Sequence, residues 1–199
     1  MGMDMGEKIT VEQCLYGILV YSANETANAI GEHISGSMSA FADKMNERAA
    51  ELGCTDSNFV TTNGLHDDEH YTSAHDMGLI ARAFFSNELL CKISSTTSYY
   101  IPQTQFQPDD DLWLYTHNRI LKGGSYYEDY IVGSKTGYTN NSRQTLVTCA
   151  EKDGMKLVCV ILKEEAPNQY KDTIDLFEYG FSNSKKVNVA ESDTRYQIA

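Results

Sequence analysis

The last third of the chain changes its hydrophobic period, and that change decides the fold class. "YYEDYIVGSKTG", "RQTLVTCAEKDG" and "MKLVCVILKE" are runs of β-branched and aromatic residues. The last two are joined by Asp153-Gly154, a pair suited to a two-residue hairpin whose central positions both need positive φ. Helical spacing dominates the first half. Thr10 and Gln13 form a capping box ahead of Val11, Leu15, Ile18 and Leu19. Ser22-Ala23-Asn24-Glu25 forms a second, followed by Ala27, Ile30 and Ile34, so two helices are expected with a break at "VYSANE". Gly36 should close the second helix. A third runs from about Met38 to Leu52, with Phe41, Met45, Ala49 and Leu52 on one face and Gly53 as its stop.

"CTDSNFVTTNGLHDDEHYT" reads as loop, with a tight turn at Asn63-Gly64. Ser73 and Asp76 open a further helix, and Asn87 a short one through Leu90. "TTSYYIPQT" and "DLWLYTHNRIL" look like an extended pair around "QPDDD". Pro167 precedes an amphipathic helix with Tyr170, Ile174, Phe177 and Phe181 on one face. Helices followed by a three-strand antiparallel meander and a closing helix define an α+β domain. The sheet is thin, and its edges are expected to want a partner.

Composition removes several function classes. The 199 residues carry a net charge of -12, which repels nucleic acid and anionic membrane, and no basic cluster overrides it. No stretch approaches the length of a membrane span, and "MGMDMGEKIT" has neither the charge nor the apolar core of a signal peptide. Gly6 stands where a myristoylation signal has Ser or Thr. Cys14, Cys54, Cys91, Cys149 and Cys159 are not spaced for zinc or redox chemistry, and core packing is expected of them. His66 and His70 lie four apart in "HDDEH", with His75 nearby, but the segment reads as loop and lacks the HExxH order. Hydrogen-bonded loop residues are the expectation, with no metal and no cofactor. His33 and His117 are isolated. "SYYIP" and Trp113 read as core or strand-face packing.

Two short motifs could carry chemistry. Lys135-Thr136-Gly137 ends a strand with a fixed positive charge, a short hydroxyl donor and a residue that lets a ligand approach the backbone. Ser22 and Asn24 sit at the helix break. There Ser22 could relay a proton and Asn24 could hold an amide, or Ser22 could simply cap the second helix.

Together the motifs go further, because Ser-x-x-Lys, a Ser-x-Asn triplet and KTG form one set in penicillin-binding proteins and class A β-lactamases. "YSANETANAIGEH" precedes "GSKTGYT" in that order. The chain resembles the low-molecular-weight D-alanyl-D-alanine carboxypeptidases over about residues 6 to 183. The likeness runs through "GEKITVEQCLYGILVYSANETANAI", "ELGCTDSNFVTTNGLHDDEHYTSAHDMGLIARAFF", "YTHNRIL", "VGSKTGYTNNSRQTLVTCAEKDGMKLVCVIL" and "YKDTIDLFEYGF".

The resemblance implies a penicillin-binding protein or serine β-lactamase-like fold, an antiparallel sheet with a helical subdomain. It implies a peptidoglycan stem peptide or β-lactam as ligand, no cofactor, and a place outside the cytoplasmic membrane. It also implies acyl transfer. Ser22 would shuttle a proton to the leaving amine, Asn24 would hold the peptide, and Lys135 and Thr136 would bind the terminal carboxylate beside Gly137. An oxyanion hole of backbone amides would add about 3 kcal/mol per donor.

The family's nucleophile is the serine of a Ser-x-x-Lys placed before the Ser-x-Asn triplet, and none precedes Ser22. The formal match Ser182-Asn183-Ser184-Lys185 comes after KTG and reads as a post-helix turn. His75 stands where the family often has arginine, and "TNNSRQTL" lacks the small residues usual after KTG. The start resembles the middle of the family's domain. The expectation is therefore a domain lacking its N-terminal strands and nucleophile helix. Residues 1–183 would form a partial carboxypeptidase domain, and 184–199 a tail that could begin a C-terminal β domain. Such a chain is expected to be inactive alone and to self-associate, or to pair with the missing fragment, through its open edge. A non-catalytic peptidoglycan-binding accessory module and a serine β-lactamase-like protein are the alternatives; "FVTTNGL" and "YGF" favour the carboxypeptidase.

Overall fold

The computed structural model describes residues 1–103 and 112–186. The expected acidic turn "QPDDD" and most of the expected tail lie outside them. Helix α1 (Val11–Tyr16) starts on the anticipated box: Thr10 Oγ1 accepts from the Gln13 amide at 3.1 Å, and the Gln13 side chain accepts from the Thr10 amide at 2.7 Å. It continues into a π-helical turn, Gly17–Tyr21, that ends at Ser22. Helix α2 (Asn24–Ser35) stops at Gly36, whose φ of 79° is left-handed. Helix α3 (Met38–Glu51) is capped by the Ser37 hydroxyl. Helix α4 (Ala74–Phe84) is capped by Ser73, and α5 (Glu88–Ser95) by Asn87, so α5 extends a turn past the Leu90 expected as its end.

Strands β1 (Ser98–Ile101) and β2 (Leu112–Tyr115) form the expected antiparallel pair as a separate small sheet. Strands β3 (Ile131–Thr139), β4 (Arg143–Lys152) and β5 (Met155–Glu164) form the meander in the order β3-β4-β5. Asp153 and Gly154 turn between β4 and β5 with φ of 51° and 73°, as a two-residue hairpin of this type requires. The strand expected from Tyr126 begins only at Ile131; Tyr130 instead packs on Phe177 and Phe181.

Alternation along β4 directs the two faces of the sheet. Leu146 and Ala150 pack under helix α6 (Asn168–Asn183) with Tyr170 and Phe177. Val147 and Cys149 pack under Ala81 and Phe85 of the α4 region. The expected face of α6, with Tyr170, Ile174, Phe177 and Phe181, is the face that packs. Helix α5 lies close on β3 because Gly133 has no side chain; a Cβ there would fall 2.4 Å from Ser94 Oγ. The third core joins the π turn to the small sheet through Tyr16, Val20, Ile93, Ile101 and Leu114, with Tyr16 stacked on Tyr99 at 3.6 Å.

The expected apolar face of α3 differs from a filled core. Phe41, Met45, Ala49 and Leu52 line a hollow of about 590 Å³ facing Met77 and Ile80 of α4. Cys14, Cys149 and Cys159 are buried as expected, whereas Cys54 and Cys91 are half-buried. Among the described residues no helix is long and apolar enough to cross a membrane.

Candidate active site

The helix break places Ser22 where a cap would not. Ser22 adopts φ 65° and ψ 39°, the left-handed region, while its own amide and that of Ala23 both return to Gly17 O. This closes the π turn in the manner of a helix C-terminus, and it holds a non-glycine residue in a conformation it otherwise avoids. The N-cap of α2 is Ala23, with no side-chain cap bond. Thr26 Oγ1 donates to Ala23 O at 2.9 Å, and the Glu25 carboxylate accepts from the Gly2 amide at 2.9 Å rather than returning to Ser22. The capping-box alternative for Ser22 is thereby overturned. Its hydroxyl is free for another partner.

That partner is Lys135. Its Nζ donates to Ser22 Oγ at 2.7 Å across 113 residues of sequence, and to Thr136 O at 2.6 Å. No carboxylate among the described residues pairs with it. Burial without a counter-charge disfavours the ammonium, and the Lys135 pKa is pushed down to about 8. Asn24, the first residue of α2, opens its carboxamide to the same cleft, with no hydrogen bond partner among the described residues.

Ser22, Asn24, Lys135, Thr136 and Gly137 all line this cleft, of about 560 Å³. Its floor is apolar, with Ile18, Ala27, Ile80, Phe84 and Phe85. A polar rim over an apolar floor of this volume is what a small-molecule or peptide site requires. Gly137 answers first to a neighbour within the sheet. A Cβ would fall 2.5 Å from Oγ1 of Thr145, its partner in register, so the close approach that excludes a side chain here belongs to β4.

Of the further lining residues, Thr62 carried no local signal and His70 only that of a loop histidine. Thr62 hydrogen-bonds Asn28 on α2 and holds the Asn63-Gly64 turn against the cleft. His70 Nδ1 accepts from the Val60 and Thr61 amides at 3.1 and 3.3 Å, and burial lowers its pKa. It acts as a loop residue. His66 Nε2 meets Asn141 Nδ2 at 2.9 Å, joining that loop to the turn after β3. His75 contacts Asp76. His117, isolated in the sequence, lines a small pocket beside Ser22 and Lys135 with Thr116 and Asn118. Thr145 could have been found from Gly137 by pairing register, but Thr62 only from tertiary packing.

Ser182 and Lys185 stand apart from all of this. They lie exposed at the end of α6, on the opposite face of the sheet, where Lys186 reaches the β4–β5 turn at Gly154 O, 3.5 Å away.

The fold and the cleft define a penicillin-binding, serine-peptidase-like α+β domain. The chain belongs to the D-alanyl-D-alanine carboxypeptidase family, whose model matches residues 1–166. It is 32% identical over 181 residues to the D-alanyl-D-alanine carboxypeptidase DacF of Bacillus subtilis, covering 90% of this chain and 45% of that protein. It is 30% identical to DacB2 of Mycobacterium tuberculosis, covering 95% and 64%. The chain thus spans about half to two thirds of the length of these curated relatives. The crystal structure of a penicillin-binding protein homologue from Mycobacterium tuberculosis superposes with a TM-score of 0.83 at 28% identity, covering 94% of this chain and 70% of the other. A variant of the Streptomyces K15 DD-transpeptidase shares the fold at a TM-score of 0.83 and 24% identity, covering 90% and 71%.

Proposed function

We propose that this chain provides the substrate-holding and proton-moving part of a serine-type D-alanyl-D-alanine carboxypeptidase site, acting on peptidoglycan stem peptides outside the cytoplasmic membrane. Lys135 and Thr136 bind the terminal carboxylate, and Asn24 holds the peptide amide. Ser22, hydrogen-bonded to Lys135, passes a proton to the leaving D-Ala nitrogen. The attacking serine of a Ser-x-x-Lys is not among these 199 residues in a usable place. On this reading it is delivered by a segment that packs on the apolar flanks of α4, where two hollows share Met77 and Ile80. The single observation that carries the proposal is the 2.7 Å contact between Lys135 and Ser22 at the mouth of a cleft that also holds Asn24.

The test is calorimetric titration with diacetyl-Lys-D-Ala-D-Ala, alongside assays for released D-Ala and for a benzylpenicillin adduct by intact mass. Binding that is lost in Asn24→Ala and Lys135→Met, with no D-Ala and no adduct, is the expected result. An adduct mapped to Ser22, or D-Ala release, would refute inactivity of the isolated chain. Absence of peptide binding would refute the site. That no Ser-x-x-Lys precedes Ser22 in these residues also favours a second reading, a non-catalytic peptidoglycan-binding module, which peptide binding without turnover would support if it persisted when a Ser-x-x-Lys segment is supplied in trans.

A further inference from the structure

Strands that bury one face normally turn polar residues outward. The β1–β2 sheet turns mostly aromatic residues outward instead. Ile101 and Leu114 are fully buried and Tyr99 stacks on Tyr16, while the outward positions are Ser98, Tyr100, Trp113 and Tyr115. Trp113 is 50% exposed and Tyr115 56% exposed, so of the expected core or strand-face packing these rings show the strand-face kind. Their ring planes are 22° from parallel with centroids 6.3 Å apart, and Tyr100 adjoins Trp113 at 5.2 Å, tilted by 44°. The strip carries no aliphatic side chain and no charge.

We propose that this strip is a glycan platform, on which the amino-sugar strand bearing the stem peptide lies while the peptide occupies the cleft. The proposal rests on the peptidoglycan reading of the cleft and extends it to the polymer. A pyranose ring presents an apolar face of C–H groups ringed by hydroxyls. Such a face suits the negative π surface of an aromatic ring whose Tyr O–H or Trp N–H stays in water. Successive exposed aromatic side chains along the strip suit successive pyranose rings. Position argues the same way. Thr116, His117 and Asn118, directly after Tyr115 in the chain, form the wall of the pocket beside Ser22 and Lys135. On this proposal the polymer follows the chain from Tyr115 to that pocket wall.

Trp113 is the sole tryptophan, so its emission reports the strip alone. The probe is a β-1,4-linked N-acetylglucosamine tetramer, titrated into the whole chain and monitored by tryptophan fluorescence. A saturable blue shift is expected, with affinity falling about tenfold in Tyr115→Ala and retained in Tyr115→Phe. Asn24→Ala, which alters only the cleft, should leave the titration unchanged. No shift, or equal affinity in Tyr115→Ala, would overturn the platform. So would emission that depends on protein concentration alone, the signature of a strip buried between two copies. Loss of peptide binding with the tetramer titration intact counts against the cleft reading and not against this one.

Discussion

Lys135 Nζ lies 2.7 Å from Ser22 Oγ, although the two residues belong to a sheet edge and a helix end that share no local sequence. The contact joins a half-buried cation without a carboxylate partner among the described residues to a hydroxyl held in left-handed backbone.

The first consequence is a pH dependence. The Lys135 pKa in the folded chain, about 8, lies below its ordinary value of 10.5. Binding of a carboxylate-bearing peptide should therefore weaken as pH rises through about 8 and be nearly gone two units above. Isothermal titration from pH 6.5 to 9.5 checks this. Affinity that stays flat across the range would exclude Lys135 as the carboxylate's partner.

The same burial sets a stability cost. Between about 8 and 10.5 the unfolded chain holds a proton on this lysine that the folded chain has lost, so stability rises with pH across that window. Lys135→Met should stabilise the domain by about 1–3 kcal/mol at neutral pH, or about 2–4 °C per kcal/mol, while abolishing peptide binding. A melting curve for the variant at pH 7 measures it.

Ser22 carries a backbone cost of its own. With φ at 65°, Ser22→Gly should gain about 1 kcal/mol and Ser22→Val should lose about 1–2 kcal/mol. Urea unfolding of the two variants provides the comparison. Equal stabilities would mean that the left-handed conformation is not held in solution.

Gly137 offers a separation of packing from ligand clearance. Gly137→Ala brings a Cβ within 2.5 Å of Thr145 Oγ1 and should cost about 1–3 kcal/mol. Adding Thr145→Ala should restore most of that loss. If the double variant is as unstable as the single one, the clash lies elsewhere.

The cysteines should divide by burial. Cys149 and Cys159 are buried, and burial pushes their thiols up to about 12 and about 11. Iodoacetamide mapping of the native chain at pH 8 should leave both unmodified, with alkylation appearing only on unfolding.

Much of the fold was legible because its signals are local. Thr10, Gly36 and Asp153-Gly154 each satisfy a requirement of the backbone within a few residues. The Ser22 box misled for an instructive reason: Ser-Ala-Asn-Glu fits a cap pattern, but a cap needs extended backbone, and the π turn before it forces Ser22 left-handed. The pairing of Ser22 with Lys135 came from the motif set as a likeness, not from local chemistry. Asp76 shows the limit from another side. It sits where a box partner belongs, yet its buried carboxylate accepts from the Asp56 amide at 2.7 Å and the Ser57 hydroxyl at 2.8 Å, contacts that no spacing rule announces.

The Gly17–Tyr21 turn winds wider than an ordinary α-helical turn, taking in one residue more per revolution. Removing a single residue there, of whatever type, would let the helix close normally and swing the chain beyond it by about 100°. Ser22 would then point away from the sheet, and the packing of Val20 beside Tyr16 would have to adjust with it. Whether Ser22 reaches Lys135 thus depends on a count of residues in one loop of backbone, and once a three-base deletion had changed that count no substitution at either residue would restore the contact.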